Sequence, residues 1–220
     1  TLKSFKRWKV IHSFSREIFK KFKICFAQNQ ETQKRLHLLG ANKVSYIGNL
    51  KFTTRRKTKF DTLNKHELKF FRNKRILITA ASTHYDEENF VFQNHLYFKK
   101  KKSNDKLISI IVPRHIERSG QIKNDAENYL LKTHMHSSKK VINNKAEVYI
   151  VDTYGELNKF YKISNLVFMG GSLINHGGQN PLEPAKLGCK IIHGPNTSNF
   201  REIYNKLGKM GVSKVFKKYF

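Results

Sequence analysis

The hydrophobic residues of this chain occur in two patterns, and the alternation between them predicts most of the secondary structure. In the first 23 residues, apolar side chains recur every three or four positions, which is typical of one or two amphipathic helices. Further along, short continuous apolar runs that are typical of buried strands alternate with longer stretches of helical periodicity. Strands are predicted at residues 24–27, 44–47, 75–80, 107–112, 147–151, 166–169 and 190–193. Helices are predicted at residues 31–39, 86–100, 116–131, 155–163, 181–187 and 199–207.

The order of these elements predicts an α/β fold. From residue 74 onward five strands alternate with helices, and right-handed crossovers then give a Rossmann-like, doubly wound parallel sheet. Residues 24–47 form a separate strand–helix–strand fragment, and residues 51–69 are highly charged with little periodicity, as expected of an interdomain linker. The predicted organisation is the end of one domain at 1–52, a linker at 53–73 and a second domain at 74–220.

Doubly wound sheets bind ligands outside the carboxyl ends of their strands, so the residues that follow each strand are candidates for a site. These are Ser82, Thr83 and His84, then Pro113, Arg114 and His115, then Asp152 and Thr153, then Gly170, Gly171 and Ser172, and finally Gly194 and Pro195. Arg114 stands out because a planar guanidinium at a strand end suits a phosphate or a carboxylate. Its alternative role is a surface ion pair with Glu117. Ser82 and Thr83 have the alternative role of capping the following helix.

Residues 165–200 carry the most informative pattern. A buried strand stops at the pair Gly170-Gly171, a second glycine pair follows at Gly177-Gly178, and Asn180-Pro181 has the composition of a helix N-terminus. A helix N-terminus presents unpaired N–H groups and the positive end of the helix dipole, so this stretch predicts a phosphate or carboxylate site. The alternative is that Glu183 completes a capping box with Asn180 and that the glycines serve only as turn residues.

Charge adds a class of partner. The chain has 43 Lys and Arg against 16 Asp and Glu, a formal net charge of +27, so its partner should be polyanionic: nucleic acid, an anionic membrane surface or a phosphorylated substrate. The alternative explanation of the net charge is that the lysines lie on solvent-exposed faces and bind no particular partner. In the first 23 residues, aromatic side chains such as Trp8 and Phe14 lie among lysines and arginines. That combination suits either an anionic membrane surface or a helix that packs on its own domain.

Other chemistry is disfavoured by spacing. Cys25 and Cys189 lie far apart in apolar runs, as expected of reduced, buried thiols in a cytosolic protein. No apolar run approaches the ~20 residues of a membrane-spanning helix, although a signal or anchor upstream of Thr1 is compatible with the sequence. Metal binding is not expected, because four candidate histidines fall on separate loops: His84, His115, His176 and His193.

The ordered motifs of the chain resemble those of the transferases of 3-deoxy-D-manno-octulosonic acid (Kdo) in lipopolysaccharide synthesis. The motifs are Gly48-Asn-Leu-Lys-Phe52, Ala80-Ala-Ser-Thr-His84, Val112-Pro-Arg-His-Ile-Glu-Arg118, Asp152-Thr-Tyr-Gly-Glu156, Gly170-Gly-Ser172, Gly177-Gly-Gln-Asn-Pro-Leu-Glu-Pro184 and Gly194-Pro-Asn-Thr-Ser-Asn-Phe200. They span nearly the whole chain in a fixed order, so the resemblance is much more specific than a single glycine motif.

This resemblance implies a GT-B glycosyltransferase, in which two Rossmann-like domains face a cleft. It implies inverting transfer of Kdo from CMP-Kdo to a lipid A precursor at the cytoplasmic face of the inner membrane, with no metal, no cofactor and no nucleic-acid partner. Carried over by position, Arg114 with Pro113 would contact the phosphate or nucleotide of the donor, and Glu183 would accept hydrogen bonds from the ribose hydroxyls. The remaining candidates would line the nucleotide pocket: Ser82, Thr83, Gly170, Gly171, Ser172, Gly177, Gly178 and Asn180.

The same family keeps its catalytic glutamate in the amino-terminal domain, and this sequence contains only the end of that domain. We therefore expect a fragment that carries the donor site and has no general base of its own. Two alternatives stay open. One is another nucleotide-sugar transferase or epimerase of the same architecture. The other is a basic module that binds nucleic acid or a membrane, and DNA binding with steep salt dependence would support it.

Overall fold

Two compact units make up the protein in a computed structural model, Thr1–Thr58 and Lys59–Phe220. The structure describes residues 2–47, 62–74, 76–102, 106–138 and 140–216. The motif at residues 48–52, the linker residues 53–61 and the first residue of the strand predicted at 75–80 lie outside the described residues.

Unit 1 consists of two helices followed by a strand–helix–strand motif. Its elements are α1 (Leu2–Val10), α2 (His12–Lys20), β1 (Cys25–Ala27), α3 (Gln30–Leu38) and β2 (Val44–Tyr46). β1 and β2 pair in parallel, with Cys25 opposite Val44, as the predicted strand–helix–strand fragment requires. The Asn29 side chain caps α3 by accepting a hydrogen bond from the Thr32 N–H at 2.7 Å. Trp8 of α1 and Phe19 of α2 pack edge to face, with ring centroids 5.8 Å apart.

Unit 2 is built on a seven-stranded parallel sheet. Its strands are β3 (Ile76–Thr83), β4 (Leu107–Pro113), β5 (Thr133–Met135), β6 (Val148–Ile150), β7 (Leu166–Met169), β8 (Lys190–His193) and β9 (Ser213–Val215). Its helices are α4 (Lys65–Arg72), α5 (Glu87–Lys102), α6 (Ser119–Asn128), α7 (Leu157–Tyr161), α8 (Leu182–Lys186) and α9 (Arg201–Lys209), with a 3₁₀ turn at Ile116–Arg118. The strand order β5-β6-β4-β3-β7-β8-β9 confirms the predicted doubly wound sheet.

The central strands are apolar because both faces of the sheet are covered. On one face, Ile108 and Ile110 of β4 pack with Phe71 of α4 and Phe160 of α7. On the other face, Ile111 of the same strand packs with side chains of α5 and α6, in a cluster that includes Phe92 and Ile122. All seven residues of β4 are buried, which explains why six of them are apolar, with Ser109 as the exception.

Several elements correct the predictions. The segment predicted as a linker contains α4, whose start has a complete capping box between Asn64 and Glu67, so the linker reading is wrong for residues 65–72. The strands β5 and β9 were not predicted because each has only three residues and lies at an edge of the sheet. The helix predicted at 181–187 is shorter, Leu182–Lys186. Within the described residues, no helix combines the length and apolarity needed to cross a membrane.

Candidate functional site

The loops after β3, β4 and β7 come together at the carboxyl edge of the sheet. The chain passes from β6 on one side of β3 to β7 on the other, so the switch point of the sheet lies between β3 and β7. The Arg114 N–H donates to the Thr83 carbonyl at 2.9 Å, and the Gly170 N–H donates to the Ala81 carbonyl at 2.8 Å. A Cβ atom on Gly170 would lie 2.3 Å from the Ser82 carbonyl oxygen, so only glycine allows this approach. The predicted meeting of these three loops is therefore present.

Three imidazoles form the centre of this edge. The His84 ring centroid lies 4.2 Å from that of His176 and 6.0 Å from that of His115. The Nε2 atom of His84 lies 3.1 Å from Nε2 of Gln179, at hydrogen-bond distance. Gly171 lies beneath the rings in a left-handed conformation (φ +65°), and a Cβ there would come within 3.1 Å of the His176 ring. The glycine therefore leaves room for the cluster.

This edge of the sheet is electropositive. The pKa of His84 falls from 6.5 to about 4, first because burial disfavours the charged ring and then because of repulsion from His176, His115, Arg114 and Arg118. His84 is consequently a neutral imidazole at pH 7, which can donate one hydrogen bond and accept another. An anion bound here would lower the electrostatic cost of bringing these cationic groups together.

The two arginines of the loop after β4 have different roles. Arg118 donates from both terminal nitrogens to the carboxylate of Glu88, each at 3.1 Å, and Glu88 is 2% exposed. The hydroxyl of Thr83 also donates to Glu88, at 2.7 Å, so Thr83 supports this buried pair. Arg114 is exposed and forms no ion pair with a described side chain. The alternative pair with Glu117 is absent, because Glu117 accepts instead from the Tyr154 hydroxyl at 3.1 Å.

The N–H groups of the glycine turn after β7 already have an anionic partner. The Glu87 carboxylate, 1% exposed, accepts from the Gly171 N–H at 2.6 Å through Oε2 and from the N–H groups of Ser172 and Leu173, each at 3.0 Å, through Oε1. Oε2 also accepts from the His84 N–H at 3.0 Å. A carboxylate of the protein itself therefore occupies the N–H groups of this turn, while the anion site predicted at the N-terminus of the helix after Asn180 stays a prediction.

Three other candidate site residues between 170 and 180 determine how the loops pack: Ser172, Gly177 and Gly178. Ser172 is fully buried, and its hydroxyl donates to the Met169 carbonyl at 2.5 Å and accepts from the Gly194 N–H at 2.8 Å. Gly177 and Gly178 have φ values of +96° and +75°. A Cβ on Gly177 would lie 2.5 Å from the Asn199 side chain. These glycines thus let the loop after β8 pack closely against the loop after β7.

The sequence of this chain is similar to that of one family of known proteins. Residues 1–54 match the family model described as 3-deoxy-D-manno-octulosonic-acid transferase. The chain is 30% identical over 216 residues to the 3-deoxy-D-manno-octulosonic acid transferase of Haemophilus influenzae, covering 95% of this chain and 49% of that protein. It is also 30% identical over 211 residues to a bifunctional glycosyltransferase/methyltransferase of Fusobacterium nucleatum, covering 93% of this chain and 32% of that protein.

A solved structure extends the comparison to the sheet. The carboxy-terminal CMP-Kdo binding domain of WaaA from Acinetobacter baumannii matches with a TM-score of 0.63 and 32% identity, over 70% of this chain and 78% of that one. This chain belongs to the Kdo transferase family. It spans about half the length of the Haemophilus relative and a third of the Fusobacterium relative. The predicted fold class, of GT-B type, agrees with this Kdo transferase domain.

The start of α8 in this Kdo transferase chain differs from the predicted capping box. The N-cap residue of α8 is Pro181, which makes no side-chain capping bond. The Asn180 side chain, one residue earlier, accepts from the Leu182 N–H at 3.2 Å. Glu183 is exposed, and its carboxylate has no hydrogen-bond or ion-pair partner among the described residues. The capping-box alternative is therefore wrong. The predicted contact between Glu183 and the ribose stays a prediction. No described residue occupies the carboxylate, so it could accept hydrogen bonds from a ribose.

Sequence reasoning missed the acidic residues that organise this site. Glu87 and Glu88 read as ordinary acids in the first turn of α5, a position that the helix dipole favours. The available signal was that they follow a strand end and lie among cationic candidates. Ser82 has a left-handed backbone (φ +53°), which coincides with a register shift between Ala81 and Thr83 near the end of β3, and Pro113 is buried at the end of β4. Within the described part of the chain, no His, Cys, Asp and Glu side chains are grouped as metal ligands.

Proposed function

We propose that this chain carries the donor site of an enzyme that transfers Kdo from CMP-Kdo to a lipid A precursor. The observation that carries the proposal is the exposed guanidinium of Arg114, which has no ion-pair partner among the described residues, beside three imidazoles at the switch point of the sheet. The similarity to the CMP-Kdo binding domain of Acinetobacter WaaA supports CMP-Kdo as the ligand. The name of the Haemophilus relative supports the reaction.

The chemistry of the donor fits this arrangement. CMP-Kdo carries a negative phosphodiester and a negative sugar carboxylate, and the site offers cationic and neutral hydrogen-bond donors on the loops after β3, β4 and β7. We assign the phosphate to Arg114, whose planar fork matches two phosphate oxygens. When the glycosidic bond breaks, CMP leaves with an additional negative charge on its phosphate, and a fixed guanidinium stabilises that charge. The proposal involves no cofactor and no metal ion.

We assign the ribose of the donor to Glu183. A carboxylate has two acceptor oxygens that can receive hydrogen bonds from the two hydroxyls of a ribose. Asn180, Gly171 and Gly178 lie on the same loop and are assigned to the wall of the nucleotide pocket. The catalytic base is assigned to a part of the family's amino-terminal domain that this sequence does not contain.

Nucleotide binding tests the proposal. CMP should stabilise the chain in a thermal-shift screen more than UMP, AMP or GMP, and calorimetry should give the same order of affinity. A preference for another nucleotide would favour the alternative of a different nucleotide-sugar enzyme. Equal or absent shifts for all four nucleotides in correctly folded protein would contradict the proposal. DNA binding with steep salt dependence and no preference for CMP would favour a nucleic-acid module.

We further propose that unit 1 contacts the anionic surface of the inner membrane from the cytoplasmic side, where the lipid acceptor lies. Ile11, Phe14 and Phe22 are 48%, 55% and 51% exposed, and Lys20 and Lys21 are exposed beside them. Exposed apolar and cationic side chains on short helices are the combination that binds anionic interfaces. The chain should therefore sediment with vesicles that contain anionic lipid. Equal sedimentation with purely zwitterionic vesicles, or none with either, would contradict the proposal.

A further inference from the structure

The carboxylate of Glu87 connects the two loops that flank the switch point. It accepts one backbone hydrogen bond from the loop after β3, from the His84 N–H at 3.0 Å. It accepts three from the glycine turn after β7, from Gly171, Ser172 and Leu173 at 2.6, 3.0 and 3.0 Å. The glycine turn lies 84 to 86 residues away from Glu87 in sequence, so this is a tertiary link within unit 2.

This link determines how the imidazole cluster is arranged. His84 lies on the first loop, and His176 and Gln179 lie on the second, yet the rings of His84 and His176 are 4.2 Å apart. The same carboxylate accepts from four backbone donors, of which those of Gly171 and Ser172 are buried and those of His84 and Leu173 are half-buried.

We infer that Glu87 is a positioning residue that assembles the donor site by acting as an internal anion at the glycine turn. This inference rests on the proposed function for the identity of the ligand. It predicts that the donor phosphate binds through the side chains of Arg114 and the imidazole cluster, while the backbone N–H groups of the turn serve only Glu87. Removal of the carboxylate should therefore loosen the site without removing any group that contacts the ligand.

Chemical rescue separates this role from a general loss of stability. Glu87→Ala leaves a hole with four N–H donors, which formate, a free carboxylate, can enter. We expect Glu87→Ala to bind CMP at least tenfold more weakly in chloride. Replacing chloride by formate at equal ionic strength should recover at least threefold of that loss and raise the melting temperature of this variant more than that of the wild type. The wild type measured in both salts corrects for competition of formate with CMP.

Glu67→Ala is the matched control. Glu67 is also a buried carboxylate of unit 2, 5% exposed, and accepts from the Asn64 N–H at 2.8 Å, the Tyr149 hydroxyl at 2.9 Å and His136 Nδ1 at 3.0 Å. Its removal should lower stability by a comparable amount, while CMP affinity stays within twofold of the wild type in both chloride and formate. Glu87→Gln, which keeps the volume of the side chain, replaces Glu87→Ala if the latter does not fold, and its CMP affinity should fall at least tenfold.

The outcomes distinguish this inference from the proposed function. If the wild type does not bind CMP, the proposed function fails, and the role of Glu87 is then judged by selective stabilisation of Glu87→Ala by formate. Wild-type CMP affinity in Glu87→Ala or Glu87→Gln would overturn the inference. An equal response of Glu87→Ala and Glu67→Ala to formate would overturn it as well.

Discussion

Replacing Arg114 by alanine tests whether the guanidinium serves the ligand or the fold. Its side chain is exposed and has no ion-pair partner among the described residues, so removing it should change the free energy of unfolding by at most about 0.5 kcal/mol. In the complex, the same guanidinium donates charge-assisted hydrogen bonds to a phosphate, and the loss of such bonds costs about 1.5–3 kcal/mol. CMP affinity should therefore fall about 10- to 150-fold, at an unchanged melting temperature.

Arg118→Ala is the matched control, because it removes the same side chain four positions along the same loop. Both terminal nitrogens of Arg118 bind Glu88 at 3.1 Å, and Glu88 is 2% exposed. The variant leaves a buried carboxylate whose remaining described partner is the Thr83 hydroxyl, so the protein should lose about 3–5 kcal/mol of stability. Arg114→Ala should thus act on binding and Arg118→Ala on folding.

Urea denaturation and calorimetric titration with CMP, at one pH and salt concentration, measure both quantities for each variant. Because the phosphate contact depends on charge and geometry, Arg114→Lys should recover only part of the affinity. A large loss of stability with intact CMP affinity in Arg114→Ala would refute the reasoning. Equal effects of the two arginine variants on binding would refute it too, since within the described residues Arg118 is paired with Glu88 and Arg114 has no ion-pair partner.

Three further predictions concern other parts of unit 2. Glu183→Gln should weaken CMP binding by about 1–3 kcal/mol while hardly changing the affinity for a 2′,3′-dideoxy analogue, and a coupling energy of zero in this double-mutant cycle would remove Glu183 from the ribose. Burial lowers the pKa of His95 from 6.5 to about 4, so as the pH falls His95 is protonated in the unfolded chain at a higher pH than in the folded protein. The free energy of unfolding should therefore fall by up to about 3 kcal/mol as the pH drops from 6.5 to 4. In urea titrations at several pH values, His95→Gln should reduce this dependence on pH. An unchanged dependence of stability on pH in the variant would contradict the prediction. Gly170→Ala should lower the melting temperature strongly, because its Cβ would lie 2.3 Å from the backbone oxygen of Ser82; a melting temperature equal to that of the wild type would show that the loop can move aside.

The sequence alone was sufficient for five of the seven described strands of the sheet and for the edge that carries the site. A strand buried on both faces is predominantly apolar, and a parallel connection requires a crossover, so β3, β4, β6, β7 and β8 and the doubly wound type of the sheet follow from local patterns. The same logic located the loops with Arg114, Gly170 and Gly177, since all parallel strands end at one edge. Family membership was also apparent from the motifs, because their order and spacing are properties of the chain itself.

Only the tertiary structure decided which groups remain available to a ligand. Glu87 and the N–H groups of the glycine turn are paired across 84 residues of sequence, and no local pattern records that pairing. Arg114 and Arg118 look equivalent in the sequence, yet among the described side chains Arg118 pairs with the buried carboxylate of Glu88 and Arg114 pairs with none. Helix α4 in the charged segment was likewise hidden, because its stability comes from the packing of Phe70 and Phe71 on the sheet and not from a long periodic pattern. Hydrogen bonds and ion pairs between distant segments depend on where the fold brings them, and that information exists only once the chain is packed.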